Sequence, residues 1–183
     1  MTTMPQPDVA DRFAHARSLV RDVPDFPKAG IVFKDITPLL ASPRAFHSLL
    51  DGLAEPFIGE GIDAVVGIEA RGFIFGAALA ARLNASFVPA RKPGKLPAAV
   101  DRVEYETEYS TAALEMHTGS LREGARTLIV DDVLATGGTA VAAASLVERQ
   151  GAVVHALAFA LELTFLGGRG RVGALPVVSL LRY

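Results

Sequence analysis

The sequence predicts an α/β fold with a mostly parallel central sheet flanked by helices. Three observations predict it. Short β-branched runs alternate with longer helical ones. The run Leu128-Ile129-Val130 is apolar throughout, as in a strand covered on both faces of a parallel sheet. The polar, glycine-bearing turns fall directly after such runs, where open α/β sheets bind ligands.

The elements follow in order. Val9, Phe13, Ala16, Leu19 and Val20 recur at helical spacing and predict a helix over 8–21. The Pro/Asp/Gly-rich segment Asp22–Gly30 breaks it and leads into a short extended piece, Ile31-Val32-Phe33. Ser42-Pro43 is an N-cap with Pro at the first helical position, opening a helix toward Phe57. Asp63–Ile68 reads as a buried strand, Gly72–Leu83 as a helix and Ser86–Ala90 as a strand. Lys92-Pro93-Gly94-Lys95-Leu96-Pro97 is turn chemistry, and 101–110 is charged with β-favouring residues interleaved. The stretch 91–110 is therefore expected to form a mobile β-flap. Leu114–His117 and Thr127–Asp131 resume the core, a helix runs from Thr139 to about Gln150, and Ala152–Leu161 and Val177–Leu181 are late strands.

With 183 residues, no repeat and no shift in composition, the simplest organisation is one domain over 1–183. Half the residues are hydrophobic and 21% charged, an ordinary globular balance. A net charge of −2 supplies no electrostatic footprint for nucleic acid or an anionic membrane. The absence of cysteine excludes disulfides and thiol chemistry and suits the cytoplasm. The apolar stretches are too short to span a bilayer, and the polar N-terminus is no secretory signal, so a soluble protein is expected. The four histidines share no ligand spacing, which argues against a metal site built by the protein.

Residues 127–140 carry most of the functional signal. Behind Leu128-Ile129-Val130 stand two carboxylates, Asp131 and Asp132, with the strand expected to stop there. The loop Ala135-Thr136-Gly137-Gly138-Thr139 then opens a helix. Two glycines let backbone amides converge on an anion, the helix N-terminus adds positive potential, and the two Thr hydroxyls add donors. An acidic pair beside a phosphate cradle suits a ribose 5-phosphate. A P-loop would need Lys where Thr139 stands, and a dinucleotide fingerprint would need Gly-x-Gly-x-x-Gly.

A second polar turn, Glu69-Ala70-Arg71-Gly72, follows the strand that ends at Ile68. Its amides and the Arg71 guanidinium suit a diphosphate, or equally a tight turn with a solvated Arg. Arg91, Lys92 and Lys95 are either a solvated basic loop or further anion ligands. Phe33 is either core or a platform for a base.

With these residues in view, the chain resembles the type I phosphoribosyltransferases, which share the Asp131–Thr139 pattern, and within them the enzymes that use adenine. The resemblance runs from Asp25 to Leu166 and rests further on Phe26–Thr37, Glu69–Phe73, Arg91–Pro97 and Tyr105–Tyr109. Lys34 stands where Arg is frequent, and Thr107 and Ser110 replace a Leu and a Gly. The resemblance implies a small N-terminal hood beside the sheet and flap. It implies that adenine and 5-phosphoribosyl 1-diphosphate (PRPP) give AMP and diphosphate in purine salvage, with Mg²⁺ bound through PRPP or diphosphate. It also implies a cytoplasmic homodimer with neither nucleic acid nor membrane as partner. By motif, Ala135, Thr136, Gly137, Gly138 and Thr139 would grip the 5-phosphate, and Asp131 and Asp132 the ribose hydroxyls. Glu69, Ala70, Arg71, Arg91 and Lys95 would meet the diphosphate, Arg91 from its own chain or across the dimer. Val32, Phe33, Lys34 and Leu163 would border adenine, and Glu108 would sit over the base. Catalysis would then fall to Glu108, Asp131, Asp132 and Arg71.

Overall fold

The computed structural model describes residues 12–106 and 111–183. The chain divides into two compact units, residues 1–52 and 53–183.

The first unit holds α1 (Ala14–Ser18), β1 (Arg21–Pro24), β2 (Val32–Asp35), α2 (Thr37–Leu40) and most of α3 (Pro43–Ala54). Strands β1 and β2 pair antiparallel, from Arg21 opposite Asp35 to Pro24 opposite Val32. Cross-strand ion pairs support them, Arg21 to Asp35 at 2.5 Å and Lys34 to Asp22 at 2.6 Å. Asp35 also binds the first residue of α2, accepting from the Thr37 hydroxyl at 2.6 Å and the Thr37 amide at 2.9 Å. These bonds, the Thr37 hydroxyl foremost, hold its pKa down at about 2. The expected helix over 8–21 is corrected here: it ends at Ser18, and Arg21 already belongs to a strand. Residues 8–11 lie outside the described residues. Ser42 does cap α3, its hydroxyl accepting from the Ala45 amide at 3.4 Å.

The second unit is built on a five-stranded parallel sheet. Its strands are β3 (Ala64–Ile68), β4 (Ser86–Ala90), β7 (Arg126–Leu134), β8 (Val153–Glu162) and β9 (Val177–Arg182), in the order β4-β3-β7-β8-β9. Helix α4 (Gly72–Leu83) connects β3 to β4, and α5 (Gly138–Arg149) connects β7 to β8. Ala64, Val66 and Ile68 share a core with α5 residues such as Ala143 and Val147. Gly67, on the other face of the strand, lies close to Gly72 and Gly76 of α4. The two helices therefore cover opposite faces, as right-handed crossovers running in opposite directions require. Chain order reverses between β3 and β7, and such a reversal opens a crevice at the strands' C-terminal ends.

The flap is a hairpin of β5 (Val100–Glu106) and β6 (Thr111–His117), paired from Val100–His117 to Glu106–Thr111. The hairpin extends beyond the expected flap end at 110, with 111–117 as its return strand. Leu114 and Met116 of that strand join the α5 core, as expected of Leu114–His117. A short helix, α6 (Gly168–Arg171), follows β8. Among the described residues, no helix is long and apolar enough to cross a membrane.

Candidate active site

Strand β7 delivers the acidic pair. Leu128, Ile129 and Val130 are fully buried, as a doubly covered strand requires. The strand does not stop at Asp131, as the sequence suggested, but runs on to Leu134. Its two neighbours explain this. Pairing with β3 ends at Gly67 opposite Val130, whereas pairing with the longer β8 continues to Leu134 opposite Glu162. The backbone at Asp131 and Asp132 is thus held on one edge and released on the other, at the reversal point.

Asp132 is buried and pairs with the half-exposed Arg71 guanidinium. Arg71 comes from the turn after β3, so that turn and the acidic pair on β7 meet in this ion pair. Asp131 accepts from the Asp132 amide at 2.8 Å. Burial of its carboxyl pushes its pKa well above the usual range, and the neighbouring Asp132 charge adds to the rise. Gly72, opening α4, makes this packing possible: a Cβ there would stand 2.7 Å from the Val130 carbonyl oxygen and 2.9 Å from Asp131 Oδ1.

The loop Ala135–Thr139 follows, with Gly137 at φ +81 as the N-cap of α5. Asp131, Thr136, Gly137, Thr139 and Phe159 line a cavity of about 60 Å³. That is the room of roughly two waters, suited to an oxyanion rather than a base. Thr139 Oγ1 donates to the Tyr105 hydroxyl of the hairpin at 3.3 Å. A larger cavity, about 530 Å³, runs between Lys92-Pro93 and hairpin residues Arg102, Tyr105 and Thr111. Neither the acidic pair nor the glycine loop lines it; Asp131 and that loop line the smaller one.

Glu69 and Arg91 are also brought together. Glu69 Oε2 accepts from Arg91 Nε and from the Lys92 amide, both at 3.1 Å. Burial raises the Glu69 pKa, but the Lys92 and Arg91 hydrogen bonds outweigh it and leave it lowered. Arg91 also donates to the Lys95 carbonyl at 2.9 Å, which gathers the basic loop beside Glu69. Ala70 and Lys95 are exposed. Leu163, half-buried, follows β8, and its amide donates to the Leu134 carbonyl at 2.9 Å. Val32, Phe33 and Lys34 lie on β2 of the first unit, with Phe33 edge-to-face on Phe26 at 5.2 Å. Glu108 lies outside the described residues, as do Thr107, Tyr109 and Ser110.

The segment around Gly168, to which the sequence alone assigned no role, closes the back of the glycine loop. A Cβ on Gly137 would fall 2.7 Å from the Gly168 carbonyl oxygen, and one on Gly168 would fall 2.1 Å from that of Ala135. Arg171 donates to the Glu106 carbonyl at 3.1 Å, tying α6 to the hairpin's end. The signal was the run Gly167-Gly168-Arg169-Gly170-Arg171.

A parallel sheet with an acidic pair and a glycine loop at its reversal point defines a class, the phosphoribosyltransferases. Residues 34–164 match the phosphoribosyl transferase domain, across both units of the chain. An adenine phosphoribosyltransferase of Sorangium cellulosum is 64% identical over 174 residues, covering 92% of this chain and 87% of that one. The crystal structure of adenine phosphoribosyltransferase from Rhodothermus marinus superposes with a TM-score of 0.91 at 48% identity, over 95% of this chain and 99% of that one. The Saccharomyces cerevisiae enzyme, complexed with an imino-altritol bisphosphate and adenine, gives 0.88 at 40% identity, over 94% and 99%. The chain belongs to the adenine phosphoribosyltransferase family.

Proposed function

We propose that the crevice transfers the 5-phosphoribosyl group of PRPP to adenine, giving AMP and diphosphate in purine salvage, with residues 1–183 acting as one phosphoribosyltransferase domain. The observation that carries this reading is the meeting of the turn after β3 with the acidic pair. Arg71, just past β3, and Asp132, near the end of β7, are in contact, shortly before the glycine loop that opens α5. A cation for diphosphate, carboxylates for a diol and a cradle for phosphate then follow the order of groups along PRPP.

Ala135–Thr139 would hold the 5-phosphate through backbone amides and the Thr136 and Thr139 hydroxyls. Asp131 and Asp132 would accept from the ribose 2′- and 3′-hydroxyls. As diphosphate leaves C1, positive charge builds on the ring, and these carboxylates stabilise it at close range. Arg71, with Arg91 and Lys95, would offset the charge on the departing diphosphate, and Glu69 would orient Arg91. Val32, Phe33, Lys34 and Leu163 would border adenine. Glu108, a carboxylate that can only accept, would bond to the N7 proton of adenine and take it as N9 attacks C1.

The donors present fit Mg²⁺: the site offers carboxylate oxygens and no softer ligand, and an ion carried on substrate phosphates needs few protein ligands. When bound, Mg²⁺ would neutralise diphosphate charge. We place the protein in the cytoplasm as a homodimer, with adenine, PRPP, AMP and diphosphate as its ligands.

The test is incubation with PRPP, Mg²⁺ and each free base in turn. Adenine pairs an N6 donor with an N1 acceptor, and 6-oxopurines present the reverse. Unpaired buried groups should penalise hypoxanthine and guanine by roughly 10⁴-fold in kcat/KM. Comparable rates with hypoxanthine would refute adenine specificity, and PRPP binding without AMP formation would leave a sensor rather than an enzyme.

A further inference from the structure

We propose that Arg169 and Glu162 are positioning residues for the transfer, shaping the 5-phosphate cradle by holding Gly168 against it. The inference rests on the reading of Ala135–Thr139 as that cradle.

The loop does not set its own shape. Gly168 and Gly137 meet backbone to backbone: a Cβ on Gly168 would stand 2.1 Å from the Ala135 carbonyl oxygen and 3.1 Å from the Gly137 nitrogen. With no side chain between them, any displacement of residue 168 passes directly to the amides of the loop. Yet Gly168 begins a helix of four residues, preceded by Gly167 at φ +67. A single turn fixes several dihedrals for almost no internal hydrogen bonds, so it cannot hold its own place.

Arg169 supplies the hold. Its guanidinium grips the buried Glu162 carboxylate with two bonds, Nε to Oε1 at 3.0 Å and Nη2 to Oε2 at 2.7 Å. It also donates to Ser179 Oγ at 3.1 Å and to the Val177 carbonyl at 3.2 Å, and the Ser179 hydroxyl donates to Glu162. Glu162 stands opposite Leu134, the residue directly before the loop. The fork thus runs from the strand end beside the loop's entry to the helix behind its floor. Two parallel bonds fix direction as well as distance, which a lysine cannot reproduce. The Arg169 hydrogen bonds also keep Glu162 ionised, with its pKa at about 2.

A plainer role for the same ion pair would be to staple β9 to β8. Arg182, 3.4 Å from Glu162 and not part of α6, serves as the control for that role. The experiment compares wild type with Arg169→Lys, Gly168→Ala and Arg182→Ala. Its readouts are calorimetric binding of ribose 5-phosphate, steady-state KM for PRPP and adenine, and Tm. Arg169→Lys and Gly168→Ala should each weaken ribose 5-phosphate binding and raise KM for PRPP by about tenfold, leaving KM for adenine unchanged. Arg182→Ala should lower Tm without either effect. Should Arg169→Lys fail to fold, Ser179→Ala trims the same network without stranding a charge and should give a loss of about threefold. Variants that bind ribose 5-phosphate as wild type does would overturn the inference alone. Failure of the wild-type protein to bind it would overturn the cradle reading as well.

Discussion

In the proposed transfer, Asp131 sets activity against stability within one side chain. Its folded-state pKa lies well above the ordinary carboxylate value, through burial first and the Asp132 charge second. A raised pKa means the folded chain holds that proton more tightly than the unfolded chain does. Above the unfolded pKa, the unfolded chain releases that proton while the folded chain still holds it, and this favours unfolding. The cost is absent at acid pH and grows as pH rises toward the folded pKa. Asp131→Asn should accordingly raise Tm at neutral pH while lowering kcat by about 10²-fold. A lower Tm with unaltered kcat would mean that the carboxylate only braces the turn. The acidic pair and the glycine loop were legible in sequence because they are contiguous. The Glu69–Arg91 contact was not, because it joins residues 22 apart, each just past the end of neighbouring strands.

Among the elements, α4 and β4 begin and end where the sequence placed them, since Gly72 and Ala90 bound clean apolar runs. Strand β1 was not legible. It is held by charged cross-strand pairs and is largely exposed, so it shows no alternation of apolar residues. The end of β7 escaped as well, because the reach of β8 decides it rather than anything in β7 itself. Gly72 is the junction through which α4 touches the acidic pair. Gly72→Ala should cost about 1–3 kcal/mol by overpacking, measured by urea unfolding. It should also reduce kcat/KM, because the crowded atoms are the Val130 carbonyl and Asp131 itself. Gly76→Ala, whose closest neighbour is the Phe87 ring at 3.1 Å, should cost stability while sparing activity. Equal activity losses at the two positions would remove Gly72's particular link to the site.

At the scale of the molecule, the alternation of strands and helices announced the parallel sheet, but not the order β4-β3-β7-β8-β9. Order depends on which face each crossover takes, and no local pattern encodes that. It nonetheless decides how firmly the two ends of the crevice are held. The glycine loop leaves a strand laddered to β8 as far as Leu134, whereas the Glu69–Arg71 turn follows a strand that has already lost β7 and is paired with β4 alone. Hydrogen exchange should find the amides of 133–135 slower than those of 69–71, and equal protection would count against this asymmetry. In the proposed transfer the 5-phosphate stays in place while C1 leaves one partner for another. The sheet then works as a pivot joint: its seat is riveted to β8 along the end of β7, and the arm that releases the diphosphate hangs from the turn just past β3.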